Sequence, residues 1–277
     1  MAQTPDKVYK MLDNLRDNYM PAAQAEMEEL AQFAKENGLY AMAVICDGMG
    51  GYSEGEVASN LTVQALSWWF EQKYLPKAEK YSIAEIEEDL VGVIRKANHQ
   101  LVAYGMRNDE QVGTTMSCLL IRPEGYITCQ VGDTRIYSYD NKLTQMTVDQ
   151  SFAQQLLTAG GLSEEEVKND PRRHMILQCI GITDEVDPVF TTGDTIAKTY
   201  VLCSDGFWGK TEAEEWTLLL SEDVPLESHY RNQIEKLKER EEKDNITAVI
   251  LYHADNSEEN NTDEIEMVNF SDTEIEQ

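Results

Sequence analysis

The chain has 277 residues, of which 42% are hydrophobic, enough to bury the core of one enzyme-sized domain. Its formal net charge of −28 argues against contact with a phosphate backbone, so we expect no nucleic-acid partner. The sequence has no membrane-length apolar run and no secretion signal, and its five widely spaced cysteines fit a reducing compartment, so we expect a cytoplasmic protein without membrane attachment.

Short runs rich in β-branched and aromatic residues predict strands along the chain. In chain order these strands cover 40–46, 114–121, 126–131, 135–139, 199–203 and 246–252. A stretch rich in Ala, Glu and Gln that ends before Gly38 predicts an early helix over 22–37. Helical spacing of apolar residues predicts further helices over 54–74, 83–104 and 226–242.

The connections between the strands of 114–139 are short. They are only a few residues long and contain Pro123–Gly125 and Gly132–Thr134, which permits hairpins and excludes helical crossovers. We therefore expect an α+β protein with an antiparallel centre and helices covering the sheet faces. After His253 the chain has many acidic residues and no basic one, which predicts a disordered acidic tail over 255–277.

Four aspartates lie where a predicted strand ends or begins. They are Asp47 in AVICDGMGG, Asp133 in QVGDTRIY, Asp205 in YVLCSDGFWG and Asp244 in KDNITAVILY. Carboxylates that converge at strand ends suit Mg²⁺ or Mn²⁺, which prefer oxygen ligands. A single Asp-Gly is more often a turn or a helix cap, but four such aspartates favour a metal site. Only four histidines and no HExxH pattern argue against a common zinc hydrolase.

Six segments together resemble the type 2C metal-dependent protein phosphatases, in particular the bacterial Ser/Thr phosphatases. They appear in the family's order over roughly residues 47–251. They are DGMGG followed by SEGEVAS, Gly113–Thr115, VGDTRIY, TVDQSFAQQL, LCSDGFWG and DNITAVIL. The resemblance implies two packed antiparallel β-sheets flanked by helix pairs, an αββα sandwich, with a catalytic domain over 1–254 whose first 39 residues are atypical.

The resemblance also implies a role for each aspartate. Asp47 would bridge two Mg²⁺ or Mn²⁺ ions, the Gly48 carbonyl would bind one of them, and Asp205 and Asp244 would complete the site. Asp133 and Asp205 would approach a third, weaker ion. A water held between the two metal ions would then hydrolyse phosphoserine or phosphothreonine, with no covalent enzyme intermediate.

The N-terminal segment departs from the family pattern. The family usually has an Asn-Glu-Asp stretch preceded by a phosphate-binding arginine, whereas this chain has Leu15–Tyr19, with Leu12 at the arginine position. Asp17 is the candidate metal ligand of this stretch, and Arg16 is the candidate substrate-binding residue because a planar guanidinium suits phosphate oxygens. Gly209 stands where many relatives place another aspartate for the third ion.

Four further basic residues lie near the recognisable segments. Arg135 is interpreted as one partner of a structural ion pair within its hairpin. Arg172, Arg173 and His174 are interpreted as the solvated face of a loop. In the family a variable substrate-recognition flap often occupies the corresponding region, about 160–173 here.

Two other functions stay open. The altered N-terminal segment allows a catalytically weak phosphoprotein-binding or regulatory module of the same fold, although a module kept only for binding has no need of converging carboxylates. A metal hydrolase acting on a small phosphate ester is the third hypothesis. For the main hypothesis the expected partners are phosphorylated proteins and, by resemblance, a cognate Ser/Thr kinase.

Overall fold

The computed structural model describes most of the chain from residue 40 onward. The described residues are 40–49, 55–140, 142–161, 163, 166, 170, 172, 175–194, 197–220, 226–254 and 264–271, with only the backbone described for 226–227, 252–254 and 264–271. The predicted early helix over 22–37 lies outside them. Among the described helices none is both long and apolar enough to cross a membrane.

Sheet 1 contains four antiparallel strands. In spatial order they are β1 (Ala41–Ile45), β2 (Met116–Arg122), β3 (Gly125–Val131) and β6 (Val189–Gly193). The hairpin between β2 and β3 pairs Arg122 with Gly125, whose φ of 134° is readily adopted only by glycine. Successive side chains of β1 and β2 point to opposite faces of the sheet, and apolar side chains are buried on both faces.

Sheet 2 contains five antiparallel strands. In spatial order they are β5 (Leu143–Gln145), β4 (Arg135–Tyr139), β7 (Thr199–Cys203), β8 (Thr247–Ala254) and β9 (Glu264–Ser271). The two sheets pack face to face through one layer of buried side chains. This layer includes Ala43, Ile45, Leu119 and Ile121 of sheet 1 and Ile136, Tyr200, Leu202, Val249 and Leu251 of sheet 2.

A pair of helices covers the outer face of each sheet. Helices α1 (Gly55–Trp69) and α2 (Ile83–Asn108) pack on sheet 1. Ser82 and Glu85 form a capping box at the start of α2, and Asp109 ends it in the left-handed conformation. Two short helices, α3 (Phe152–Thr158) and α4 (Asp205–Trp208), follow in the chain. Helices α5 (Ala213–Leu219) and α6 (Leu226–Glu239) pack on sheet 2.

This architecture confirms the predicted α+β sandwich of two antiparallel sheets flanked by helix pairs. One local expectation is wrong, because β3 and β4 do not form a hairpin: the chain crosses from sheet 1 to sheet 2 through Gly132–Thr134. The predicted helix over 54–74 is α-helical only to Trp69 and continues as a π turn over Phe70–Tyr74. A 3-10 turn over Leu75–Lys80 then leads toward α2.

The prediction of a disordered tail over 255–277 is wrong for residues 264–271. These residues form β9, which pairs antiparallel with β8 along eight residue pairs from Thr247 and Ser271 to Ala254 and Glu264. Acidic composition alone gave a misleading expectation because a backbone ladder supplies hydrogen bonds whatever the side chains are. The rest of the tail lies outside the described residues.

Candidate metal centre

Asp47 lies two residues after the end of β1 and is held by two buried threonines. The Thr115 N–H and the Thr114 hydroxyl each donate a 2.9 Å hydrogen bond to the Asp47 carbonyl. The Asp47 N–H in turn donates to the Thr115 hydroxyl at 3.2 Å. Thr114 also bridges Gly48 to Ile180, which extends sheet 1 past the end of β1. The Gly-Thr-Thr segment noticed in the sequence therefore fixes the main chain of Asp47.

Gly48 allows the turn after β1 to lie directly against the start of α1. A Cβ built on Gly48 would stand 2.5 Å from the carbonyl carbon and oxygen of Gly55, far inside contact distance. Any side chain at position 48 would therefore push the turn away from the helix. Gly50 and Gly51, which complete the motif, lie outside the described residues.

Asp205 begins α4, and the preceding Ser204 joins it to the loop of Asp244. The buried Ser204 hydroxyl donates to the Asn245 carbonyl at 2.9 Å and accepts from the Thr247 N–H at 3.1 Å. These bonds run from the end of β7 to the start of β8, neighbouring strands of sheet 2. The two aspartates therefore come from adjacent strand ends.

The loop before β8 is held by the Glu242 carboxylate. It accepts hydrogen bonds from the N–H groups of Lys243 and Asp244 at 2.8 and 3.1 Å, and it pairs with Lys210 at 3.2 Å. The Asp244 carboxylate accepts from the Asn245 N–H at 2.9 Å, which orients it within its own turn.

Asp133 lies in the crossing between the two sheets and is buried, with 7% of its surface exposed. Gly132, which precedes Asp133, has a φ of 99°. Its N–H donates a 2.9 Å hydrogen bond to the side-chain oxygen of Gln150, and its carbonyl accepts one of 2.8 Å from the main-chain N–H of Gln150. The crossing thus carries an acidic side chain into the same end of the sandwich as Asp47.

The four carboxylates interact strongly. Burial raises the pKa of Asp47 to about 8, and the charges of Asp205, Asp244 and Asp133 and a hydrogen bond with Asp205 add to the shift. Burial also raises the pKa of Asp133 to about 7, followed by the charges of Asp205 and Asp149, while Arg135 acts in the opposite sense. Because like charges are held together out of water, the cluster favours either protons or cations.

The donor set fits a hard divalent cation, since it consists of carboxylate and carbonyl oxygens. Within the described residues, however, no group of three or more His, Cys, Asp or Glu side chains is already spaced to enclose a metal ion. The charges of Asp205, Asp244 and Asp133 nevertheless each raise the pKa of Asp47, which indicates that the four carboxylates lie near one another. The aspartates therefore converge without forming a closed cage.

The remaining sequence-predicted residues have different outcomes. Arg16 and Asp17 lie outside the described residues, as do Arg173 and His174 of the predicted flap. Arg172 pairs with Asp170 at 2.8 Å on the surface, as the solvated-loop interpretation predicts. Arg135 does form an ion pair, but with Asp149, which lies beyond the hairpin of β4 and β5.

Comparison with known proteins identifies the family. The family model described as protein phosphatase 2C matches residues 29–250. The serine/threonine phosphatase Stp of Listeria monocytogenes is 31% identical over 215 residues, covering 76% of this chain and 83% of that protein. The crystal structure of the serine/threonine phosphatase Stp1 from Staphylococcus aureus is 30% identical, with a TM-score of 0.69, and covers 77% of this chain and 83% of that chain.

A third relative was solved with metal. It is the catalytic domain of the serine threonine protein phosphatase PstP in complex with 2 manganese ions, 27% identical with a TM-score of 0.61, covering 82% of this chain and 87% of that one. The fold and these matches define the class: the chain belongs to the protein phosphatase 2C family. It is a metal-dependent protein serine/threonine phosphatase.

Proposed function

We propose that the chain hydrolyses phosphoserine and phosphothreonine in proteins by direct attack of water at a dinuclear Mg²⁺ or Mn²⁺ site. The ions would be held by the carboxylates of Asp47, Asp205, Asp244 and Asp17 and by the Gly48 carbonyl, with Asp47 as the ligand common to both. When bound, such ions lower the pKa of a water and neutralise charge on the phosphoryl oxygens.

The observation that carries the proposal is the convergence of Asp47, Asp205, Asp244 and Asp133: burial, followed by the charges of the other three carboxylates, raises the pKa of Asp47 to about 8. Holding four carboxylates together costs free energy unless positive charge compensates them. The residues themselves orient the reaction: Thr114 and Thr115 hold Asp47, Ser204 joins Asp205 to the loop of Asp244, and burial excludes water from Asp133. In-line phosphoryl transfer needs this positioning more than acid–base groups.

Arg16 is the proposed substrate contact. Its guanidinium would bind the phosphate oxygens in place of the arginine that Leu12 replaces, since a planar fork matches phosphate geometry. We expect Arg16→Ala to raise the Michaelis constant for a phosphopeptide with a smaller change in kcat. An unchanged Michaelis constant would count against this role.

The proposal includes a third, weaker ion near Asp133 and Asp205, but Gly209 limits the ligands available to it. A Cβ at Gly209 would stand 2.7 Å from the Asp205 carbonyl oxygen, so this position offers no room for the additional carboxylate without a shift of the chain. The third ion would therefore depend on Asp133 and Asp205.

The test is hydrolysis of a phosphothreonine peptide with Mn²⁺, Mg²⁺ or chelator by the wild-type chain and two variants. Asp205→Asn removes the negative charge of a proposed ligand and should lower turnover at least about 100-fold, more than loss of an outer hydrogen-bond partner costs. Asp109→Asn is the matched control, because Asp109 is an exposed helix cap in the left-handed conformation, which asparagine also adopts. It should keep wild-type turnover.

The competing functions give different results in the same assay. A wild-type chain that binds the phosphopeptide but never turns it over with either metal would be the phosphoprotein-binding or regulatory module. Turnover of a small phosphate ester that the phosphopeptide does not inhibit would indicate the small-ester hydrolase. If the substrates are proteins phosphorylated by a Ser/Thr kinase, the phosphopeptide should competitively inhibit turnover of the small phosphate ester.

A further inference from the structure

Trp208 connects the segments of two candidate ligands that are far apart in the chain. It is the last residue of α4, the four-residue helix that begins with Asp205. Its indole Nε1–H donates a 3.2 Å hydrogen bond to the main-chain carbonyl of Asp133. The helix that carries one aspartate therefore binds the peptide that carries the other.

Arg135 and Asp149 hold the indole ring in place. The guanidinium carbon of Arg135 lies 3.3 Å from the centroid of the Trp208 ring. Arg135 Nε and Nη2 donate to the two carboxylate oxygens of Asp149 at 2.9 and 2.8 Å, and Asp149 is 8% exposed. This partly buried bidentate pair fixes the guanidinium plane, and the stacked ring loses its rotational freedom.

The Asp133 carbonyl is the central one of three in the crossing between the sheets. The side-chain amide of Gln130 binds the two neighbours, donating to the carbonyls of Gly132 at 3.1 Å and Thr134 at 2.9 Å. The indole binds the carbonyl between them. Because this bond restricts rotation of the peptide plane that follows Asp133, and with it ψ of Asp133, it helps to hold the main chain that carries the Asp133 carboxylate.

We propose that Trp208 is a positioning residue of the metal centre: its indole N–H fixes the Asp133 peptide so that the carboxylates of Asp133 and Asp205 face one cation site. This role rests on the proposed function of the centre. It assigns the Trp208, Arg135 and Asp149 stack to metal binding rather than to stability alone.

The experiment compares Trp208→Phe with Trp69→Phe and the wild-type chain. Trp208→Phe keeps an aromatic face under Arg135 but removes the N–H. Trp69 is the matched control because its indole N–H also donates a partly buried hydrogen bond, to Asp89 at 3.3 Å, and it lies at the other end of α1 from Gly55, roughly 20 Å along the helix. Mn²⁺ binding to chelator-stripped protein is measured by calorimetry, together with kcat and KM.

We expect Trp208→Phe to bind Mn²⁺ about tenfold more weakly, as loss of an outer hydrogen-bond partner does in metal sites. Its kcat should fall at low Mn²⁺ and recover at saturating Mn²⁺, with KM for the phosphopeptide changed less than about twofold. Trp69→Phe should bind Mn²⁺ like the wild type even if it melts at a lower temperature. A general loss of stability would not produce this metal-rescued pattern.

Asp149→Asn is a second variant, which loosens Arg135 and leaves the indole intact. A drop in Mn²⁺ affinity in folded Trp208→Phe supports the positioning role, and Asp149→Asn decides in the same way if Trp208→Phe does not fold in chelator. Wild-type affinity in folded Trp208→Phe, or in Asp149→Asn where Trp208→Phe does not fold, would overturn the role while the proposed function stands. A wild-type chain that neither binds Mn²⁺ nor turns over the phosphopeptide would overturn both.

Discussion

Gly206 lies so close to Asn245 that a Cβ built on it would stand 2.5 Å from the Asn245 carbonyl oxygen. The same Cβ would be 3.3 Å from the carbonyl oxygen of Asp244. The start of α4 and the loop before β8 are therefore in direct main-chain contact. This contact sets the separation of Asp205 and Asp244.

Gly206→Ala tests that contact. The added methyl group should force the two loops apart and lower kcat/KM for a phosphopeptide by at least about tenfold, because small displacements at a reacting centre are costly. Gly92→Ala is the control, since a Cβ at this helical position meets nothing within 4 Å. It should keep wild-type kcat/KM and stabilise α2 by about 0.5–1 kcal/mol. Wild-type kcat/KM in Gly206→Ala would show that the contact does not set the geometry of the site.

The ion pair between Glu215 and Arg240 should stabilise the fold at neutral pH and lose this effect in acid. Its carboxylate accepts two 2.7 Å hydrogen bonds from Arg240 and one of 3.0 Å from Gln233. The hydrogen bonds from Arg240 are the main cause that lowers the pKa of Glu215 to about 2. Because this value is below that of the unfolded chain, the contribution is present above about pH 4.5 and is lost as the pH falls toward 2.

The corresponding measurement is the free energy of unfolding at pH 6 and pH 3 for the wild type, Glu215→Gln and Glu235→Gln. Glu235 is an exposed residue of the same helix pair, with its side chain 72% exposed. Glu215→Gln should cost on the order of 2 kcal/mol at pH 6 and clearly less at pH 3, whereas Glu235→Gln should cost less than about 0.5 kcal/mol at both. An equal cost of Glu215→Gln at both pH values would exclude the ion pair as its cause.

Removal of β9 should destabilise the protein. Truncation after residue 254 leaves the backbone of β8 as an unpaired sheet edge, which favours aggregation. We expect a loss on the order of 3 kcal/mol, because several hydrogen bonds of about 0.5–1.5 kcal/mol each are partly offset by the entropy of the released segment. Truncation after residue 271 keeps β9 and should be neutral in thermal and chemical unfolding. Equal stability of the two truncations would indicate that β9 adds nothing.

Sequence alone predicts the centre of the fold well and its periphery poorly. The strands Arg135–Tyr139 and Thr199–Cys203 have the bounds that their β-branched and aromatic residues predict. In contrast, β6 (Val189–Gly193) is an edge strand with mostly exposed side chains, so it lacks the buried pattern that marks a strand. The strand β9 lies in an acidic segment, where composition gave the opposite expectation.

For the candidate site, the sequence likewise predicts the aspartates but not the contacts that hold them in place. Asp47, Asp133, Asp205 and Asp244 could be selected from the sequence because each lies at a strand boundary, and the structure brings them together. Their role as ligands stays a prediction. The link from Trp208 to Asp133 could not be found in this way, because it spans 75 residues and depends on the crossing between sheets. The sequence predicts that Arg135 pairs within its hairpin, yet its partner Asp149 follows β5.

The most direct test of the metal centre is an anomalous difference map from crystals of the wild-type chain grown with Mn²⁺. We expect two neighbouring peaks that share the Asp47 carboxylate, with Asp205 and Asp244 among the ligands, and loss of at least one peak in crystals of Asp205→Asn. Peaks at other residues, or no peak in a crystal of protein that hydrolyses phosphopeptide with Mn²⁺, would contradict this expectation.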